Sequence, residues 1–207
     1  MGKDMASTDA PFGFAVYGEC LRERLYAVQT EPVIGFYVGD CVMHGGTALA
    51  TAFGTLPILE DGAVVDGVAN TQKLVGVVTA CFDEHMDPVK YIAATEAGDG
   101  TVAGFVLVAD HPDQLFLVQE DGGGNAIDLS EVGFNIDILS ATNNEGNANT
   151  GLSTQQIDST TAGANEELDV KLHFPHPDDT VGNDTNCYAR WIVSINTHFY
   201  DSFNAGL

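Results

Sequence analysis

Two apolar runs near the middle of the chain are separated by a short polar segment. The first covers residues 102–108 and the second residues 115–118, and both are rich in β-branched and aromatic residues, which favours strands. The segment between them has the composition of a turn, with Asp110, Pro112 and Asp113. Neither run alternates with polar residues, so we expect both faces of each strand to be covered. The pattern predicts a buried β-hairpin at the centre of the core.

Further segments with strand character follow along the chain. Residues 168–174 alternate, which places Leu168, Val170, Leu172 and Phe174 on one buried face. Residues 16–29 fit a short helix and, nearly as well, a strand. Other strands are predicted within residues 33–43, 74–82, 89–93, 132–139 and 188–200. No sustained helix is indicated, and the predicted fold class is all-β: a compact β-barrel or sandwich-like body with long loops and an extended N-terminal arm.

Composition divides the chain into three segments. Residues 1–32 form an N-terminal arm that begins with frequent Gly, Pro, Ser, Thr and Asp, and Phe12 and Phe14 are apolar anchors on it. An exposed arm that carries aromatic residues usually packs on another surface, often a neighbouring subunit. Residues 33–125 form a β domain around the central hairpin. Residues 126–207 either complete the same body or form a second small β domain.

The charge balance restricts the possible partners. The chain has 207 residues with 7 basic against 30 acidic side chains, a formal net charge of −23. Nucleic acid and anionic lipid surfaces are excluded as partners, because too few Lys and Arg are present to neutralise phosphates. The acidity is typical of a soluble surface that resists self-association. The other interpretations are a complementary basic patch on a partner and bound Ca²⁺.

Cysteine spacing and the N-terminal sequence indicate the compartment. The four cysteines are widely separated and include no C-x-x-C pair, unlike a disulfide-dense secreted scaffold; they are Cys20, Cys41, Cys81 and Cys187. Residues 1–13 lack the basic and then apolar pattern of a signal peptide. No apolar run approaches membrane-spanning length. We therefore expect synthesis in the cytosol with reduced thiols and no membrane contact.

Candidate chemical groups do not combine into a catalytic arrangement in the sequence. Residues 173–179 are richest in possible metal ligands, but they lack a frame such as H-E-x-x-H. Oxygen ligands for Ca²⁺ occur at Asp178, Asp179, Asn183 and Asp184 without the spacing of an EF-hand loop. Serines lie outside any G-x-S-x-G elbow, and the glycines at 122–124 precede no Lys-Ser/Thr. We predict no catalytic residues, no metal and no cofactor.

The order of short motifs resembles that of a family of tailed-bacteriophage virion proteins, the capsid decoration or cement proteins. Each motif is short and turn-like, and the resemblance depends on their order over about residues 33–200. They are GDCV at 39–42, LVGVV at 74–78, AC at 80–81, VADHPDQLF at 108–116, Asp128, VGFN at 132–135, GLS at 151–153, DS at 158–159, PDD at 177–179, GN at 182–183 and VSINTH at 193–198. The acidic excess and the N-terminal arm are not part of the resemblance.

This resemblance implies a structural role on a virion. By this resemblance, the chain is expected to bind the outer surface of an icosahedral head and to clamp neighbouring major capsid subunits, after synthesis in the host cytoplasm. Its implied partners are the major capsid protein and further copies of itself, as a homotrimer first and a homodimer as the alternative. On this interpretation the contact residues are Phe12 and Phe14 of the arm together with Arg22 and Arg24, two of the three arginines in the chain.

Two other functions are compatible with the sequence. A glycan-binding β-module on a particle surface would stack sugars on Tyr188, Trp191 and Tyr200, although strand alternation favours a core position for Trp191. A metal-dependent, cupin-like enzyme would use residues 173–179 as its ligand cluster. The enzyme alternative assembles no nucleophile, base and orienting group in the sequence.

Overall fold

The described part of the chain is built from short strands. The computed structural model describes residues 8–29, 35–59, 73–94, 102–123, 126–139, 146–179, 181 and 188–201. Within these residues a 3₁₀ turn spans Leu129–Glu131, and no α-helix occurs. The strands are β1 (Ala15–Val16), β2 (Glu23–Gln29), β3 (Phe36–Tyr37), β4 (Cys41–Thr51), β5 (Gly54–Leu59), β6 (Leu74–Phe82), β7 (Pro88–Val89), β8 (Tyr91–Ile92), β9 (Val102–Ala109), β10 (Leu115–Gln119), β11 (Asn135–Ile136), β12 (Val170–Pro175) and β13 (Arg190–Ile195). The all-β prediction is confirmed.

Three sheets contain these strands. A five-stranded sheet has the order β1-β10-β13-β12-β11, and a six-stranded sheet has the order β4-β5-β2-β9-β6-β7. An additional pairing of β4 with β6 closes five strands of the second sheet into a ring. β3 and β8 form a small separate sheet. The architecture is therefore a layered, sandwich-like β body.

The central strands occur where the sequence predicts them, but the predicted hairpin is wrong. β9 pairs with β2 and β6, whereas β10 pairs with β1 and β13. The turn between them carries the chain from one sheet to the other instead of folding β10 back onto β9. The expected covering of both faces is confirmed for β9, because Phe105 and Val106 point into different apolar clusters. The turn is therefore a corner between two layers.

Two main apolar clusters hold the layers together. The larger cluster joins the five-stranded sheet to β4 and β6, with Trp191, Phe116 and Leu172 facing Leu74 and Val77. The second cluster lies among the strands of the ring, with Tyr26, Val42, Val75, Val106 and Val108. Because the predicted segments 33–125 and 126–207 both contribute to the larger cluster, and β10 pairs with β13, they share one core.

The described part of the N-terminal segment packs on its own chain. Gln119 bonds the backbone of Thr8 and Ala10, and Phe14 is buried between the layers. Gly13 has a φ of +72°, and a Cβ added there would lie 2.4 Å from the Cβ of Ser153, so this crossing needs glycine. Of the two alternatives for residues 16–29, the structure has the strand: β2 lies between β5 and β9.

The alternating pattern of residues 168–174 is confirmed only in part. Val170 and Leu172 are buried as predicted. Phe174 was expected on the same face, but it is 43% exposed. The reason is an irregularity in the pairing of β12 with β13 between Leu172 and Phe174, since an extra residue on one strand shifts every later side chain to the other face.

Candidate functional site

A buried carboxylate lies at the corner between the two sheets. Asp110 follows the last residue of β9, and its side chain has no solvent exposure. Arg22 donates from Nε to Oδ1 at 2.6 Å and from Nη2 to the Asp110 carbonyl at 2.5 Å. Arg24 places Nε 3.1 Å from Oδ2, and the Tyr26 hydroxyl donates to the same oxygen at 2.7 Å. Two cations and a phenol thus compensate the carboxylate for its lost hydration.

The C-terminal segment covers this corner. The Tyr200 hydroxyl lies 3.0 Å from that of Tyr26, and the Arg24 and Arg22 guanidinium carbons lie 4.5 and 5.5 Å from the Tyr200 ring centre. Burial, followed by the hydrogen bonds with Tyr200 and Asp110, raises the pKa of Tyr26 well above its ordinary value. Tyr26 therefore remains a neutral donor. Burial also lowers the pKa of nearby His198 to about 4, so its ring is neutral at pH 7.

The structure brings together some of the predicted contact residues. Arg22 and Arg24 meet at Asp110, and their side chains keep 33% and 41% exposure. Phe14 lies in the core between the layers, 2% exposed, while Phe12 is half-buried and its carbonyl approaches Gly39. In this chain alone, Phe14 offers no exposed surface. The assignment of these four residues to capsid or subunit contacts stays a prediction.

The predicted ligand cluster at residues 173–179 has internal partners instead. His173 Nε2 lies 2.9 Å from Ser194 Oγ. Asp179 receives both Nε and Nη2 of Arg190, at 2.9 and 2.8 Å, and also the Arg190 backbone amide at 2.7 Å. Although burial raises the pKa of Asp179, the hydrogen bonds and charge of Arg190 lower it overall. The turn is held against β13 by a two-point ion pair.

Metal-ligating residues do not converge in the described structure. No group of three or more His, Cys, Asp or Glu side chains is placed to hold a metal ion among the residues that the structure describes. His176 Nδ1 lies 3.8 Å from Asp178 and 3.3 Å from Arg190 Nη2, and a guanidinium at that distance disfavours a bound cation. Asn183 and Asp184 of the calcium hypothesis, as well as Cys187, lie outside the described residues.

Three buried carboxyl groups were missed by sequence reasoning. Asp40 accepts the Tyr37 amide at 2.6 Å, Asp169 accepts the Ile138 amide at 3.1 Å, and Glu120 accepts the amides of Ile127 and Ala189. Burial raises the pKa of Asp40 to about 7, against the hydrogen bonds from Ser153 and Tyr37. Burial likewise raises the pKa of Asp169 to about 7. The only available signal was an acidic residue beside an apolar run.

The aromatic residues of the glycan hypothesis do not form one exposed platform. Trp191 is fully buried in the core between the layers, as its strand alternation predicts. The Tyr200 ring is covered by the two arginines of the corner. Tyr188 lies against Gly122, where an added Cβ would come within 2.6 Å of its ring.

Large apolar side chains are exposed on one short turn. Leu129, Val132 and Phe134 are 63%, 42% and 39% exposed and lie within six consecutive residues, here called the 129–134 turn. A capping box fixes this turn: Asp128 accepts the Ser130 amide at 2.6 Å, and Glu131 accepts the Asp128 amide at 2.8 Å. Two backbone hydrogen bonds with Leu172 of β12 attach the turn to the five-stranded sheet. Ordered, exposed apolar groups of this kind are typical of a protein-binding surface.

Comparison with protein families, with curated proteins and with solved structures gives no match in any of the three. Among the described residues, no helix has the length and apolar character needed to cross a membrane.

Proposed function

We propose that this chain is a structural virion protein that binds the outer surface of an icosahedral phage head and clamps neighbouring major capsid subunits. The order of motifs over about residues 33–200 suggests this role. One structural observation supports it most. The 129–134 turn is fixed by hydrogen bonds and exposes Leu129, Val132 and Phe134 to a partner. The arginines and the predicted ligand residues, by contrast, form contacts within the chain.

The mechanism is passive. A body whose sheets are joined by close-packed apolar clusters deforms little, so a contact at one end is transmitted to the other. Each copy needs only modest affinity, because a shell presents many identical sites and an oligomer engages several at once. The partners in this proposal are the major capsid protein and further copies of this chain, as a homotrimer or a homodimer, with no catalytic step.

The net charge of −23 is compatible with this role. It favours a docking surface on the shell that carries basic residues, since complementary charge accelerates association and excludes wrong partners. Asp128 precedes the exposed apolar side chains of the 129–134 turn, and Glu131 lies between Leu129 and Val132. A matching capsid site would thus combine an apolar pocket with a basic rim.

Heads assembled without this chain provide the test. Purified wild-type chain should bind them saturably, at a fixed number of copies per head, and should raise the temperature at which they release DNA. Leu129→Ser with Phe134→Ser should weaken binding about tenfold or more, because burying each large apolar side chain contributes roughly 1.5–3 kcal/mol. Leu152→Ser removes an equally exposed apolar group outside the turn and serves as the matched control.

Failure of the wild-type chain to bind such heads would refute the proposal. Binding that survives the double substitution would assign the contact to another surface and leave the clamping role in place.

A further inference from the structure

One hairpin of this acidic chain carries no formal charge. Residues 41–59 contain no Asp, Glu, Lys or Arg, and they form β4, a two-residue tip and β5. In a chain with 30 acidic residues, this is the longest uncharged stretch. Exposed strand edges are normally protected against pairing by charged residues, especially Lys, or by Pro. The edge of β4 lacks both.

The outer edge of β4 has no strand beside it in the described structure. β4 pairs with β6 only through residues 41–43, and afterwards it pairs on its other side with β5, as Ala48–Pro57, Leu49–Leu56, Ala50–Thr55 and Thr51–Gly54. Proline has no amide hydrogen, so Ala48–Pro57 fits the non-hydrogen-bonded type of pair. By alternation, the peptide groups of Ala48 and Ala50 then point away from β5, towards the open edge.

The hairpin is held in a fixed position. The Phe53 ring at its tip packs edge-on against buried Phe105, with 5.4 Å between ring centres. Thr51 closes the tip, since its hydroxyl donates to the Gly54 carbonyl at 2.8 Å and accepts the Phe53 amide at 3.1 Å. Leu49 and Leu56 pack with the same cluster. The open edge is therefore a preformed template for another strand.

The edge sequence is symmetric about Leu49. Residues 47–51 read Thr-Ala-Leu-Ala-Thr, which is identical in both directions. We propose that a second copy of this chain pairs with β4 edge to edge, antiparallel, around a two-fold axis at Leu49. Leu49 then faces Leu49 of the second copy, and Ala48 faces Ala50 of the second copy. The outward peptide groups of Ala48 and Ala50 supply the hydrogen bonds of that pairing.

Charge favours a second copy at this position. Two chains of net charge −23 repel each other over most approaches, but along this edge no like-charged side chains are brought together. In an isologous contact residue i meets residue j of the second copy and residue j meets residue i, so each Ala48–Ala50 pair of this edge brings together two small, uncharged side chains. The pairing is two-fold, so it favours the homodimer over the homotrimer.

Two double substitutions test the register directly. Ala48 and Ala50 are exposed, so both variants should fold. Ala48→Glu with Ala50→Glu places like charges opposite each other across the axis and should weaken dimerisation about tenfold or more in sedimentation equilibrium. Ala48→Lys with Ala50→Glu places opposite charges across the axis and should restore the dimer. Thr55→Glu adds a negative charge to the same hairpin away from the edge and should change the dimerisation constant little.

A second measurement is independent of charge. Leu49→Cys, in a chain with Cys20→Ser and Cys187→Ser, should form a disulfide-linked dimer under mild oxidation, because directly opposed residues of a non-hydrogen-bonded pair lie about 4.5 Å apart at Cα. Ala52→Cys, off the axis, should not.

A wild-type chain that is monomeric at high concentration overturns the inference. Equal dimerisation of the two double variants, or no cross-link at position 49, also overturns it. All of these measurements use the isolated chain, so they leave the capsid proposal standing, and a failure of head binding leaves the edge pairing standing.

Discussion

The Asp110 corner and the Asp179 turn both join an arginine to an aspartate, but in different surroundings. Asp110 has no exposure and needs Arg22, Arg24 and Tyr26, whereas Asp179 keeps 12% side-chain exposure and needs Arg190 alone. A buried carboxylate has lost its hydration, so all of the groups that stabilise its charge must come from the protein. Water also stabilises the charge of a carboxylate at the surface. The more buried carboxylate therefore has more stabilising side chains around it. We expect its substitution to cause the larger loss in the free energy of unfolding.

The largest effect is expected at the corner. Asp110→Ala should reduce the free energy of unfolding by about 2–3 kcal/mol, because it removes the shared acceptor of the buried Tyr26 hydroxyl and of two partly exposed guanidinium groups. Urea denaturation measures this loss. Asp113→Ala, in the same turn but with 87% side-chain exposure, is the control and should change stability by less than about 0.5 kcal/mol. Equal losses in the two variants would show that burial does not set the cost.

A third kind of carboxyl group sharpens the comparison: Asp40 and Asp169 are buried without an arginine, and both have a pKa of about 7. Because their folded pKa is above the unfolded value near 4, their contribution is fully present below about pH 4 and is lost as the pH rises from there through about 7. Asp169→Asn should therefore stabilise the chain at pH 8 by about 1 kcal/mol or more relative to its effect at pH 4.

Unfolding curves at pH 4, 6 and 8 measure this difference. Asp179→Asn is the contrasting control, since the pKa of Asp179 is lowered; its contribution is lost only below about pH 4 and should change little from pH 4 to pH 8. A wild-type chain whose stability relative to Asp169→Asn does not vary with pH would contradict the assignment.

Tyr26→Phe tests the neutral member of the corner. It removes the hydrogen bond to buried Asp110 and the contact with Tyr200, so we expect a loss of about 1.5–2 kcal/mol. Tyr91→Phe removes a hydroxyl outside this network while keeping a ring that stacks on Tyr37, and thermal unfolding should separate the two variants by several degrees. Equal melting temperatures would mean that the arginines alone compensate Asp110.

The smallest effect is expected at the turn. Arg190→Lys keeps the charge but loses the two-point geometry, and it should cost about 1 kcal/mol or less. The loss should shrink further in 1 M salt, because Arg190 and Asp179 are both accessible to solvent. A loss that does not change with salt would mean that the Arg190–Asp179 pair is shielded from solvent, as the Asp110 carboxylate is.

The sequence was sufficient for most of the strands, although β4 runs past the predicted end at residue 43 to Thr51 and leads into β5. It was insufficient for the pairing of the strands. The β-branched run at residues 102–108 is a strand for local reasons, and Pro112 makes a turn for local reasons. Whether that turn makes a hairpin or a corner depends on distant strands, since β2 and β6 pair with β9 while β1 and β13 pair with β10. Phe174 is a similar case, since its exposure results from the register of β12 against β13.

The candidate sites divide in the same way. Residues 173–179 are recognisable in the sequence as a cluster of polar groups. Asp179 forms an ion pair only because the pairing of β12 with β13 places Arg190 beside it. Asp40, Glu120 and Asp169 each stand beside an apolar run, and the sequence did not show that they are buried. Asp169 and Glu120 accept amides from residues 31 and 69 positions away, whereas Asp40 accepts the nearby Tyr37 amide. The apolar exposure of the 129–134 turn likewise depends on the packing of the sheet beside it.

By itself the sequence determined the strand character, the turns and the charge, because these depend on each residue and its near neighbours. Tertiary structure decided which strands pair, which acidic side chains are buried and, among the described residues, which strand edge has no neighbour. Those outcomes depend on contacts between residues that are distant in the chain, and the free energy of such contacts exists only when the whole body is packed.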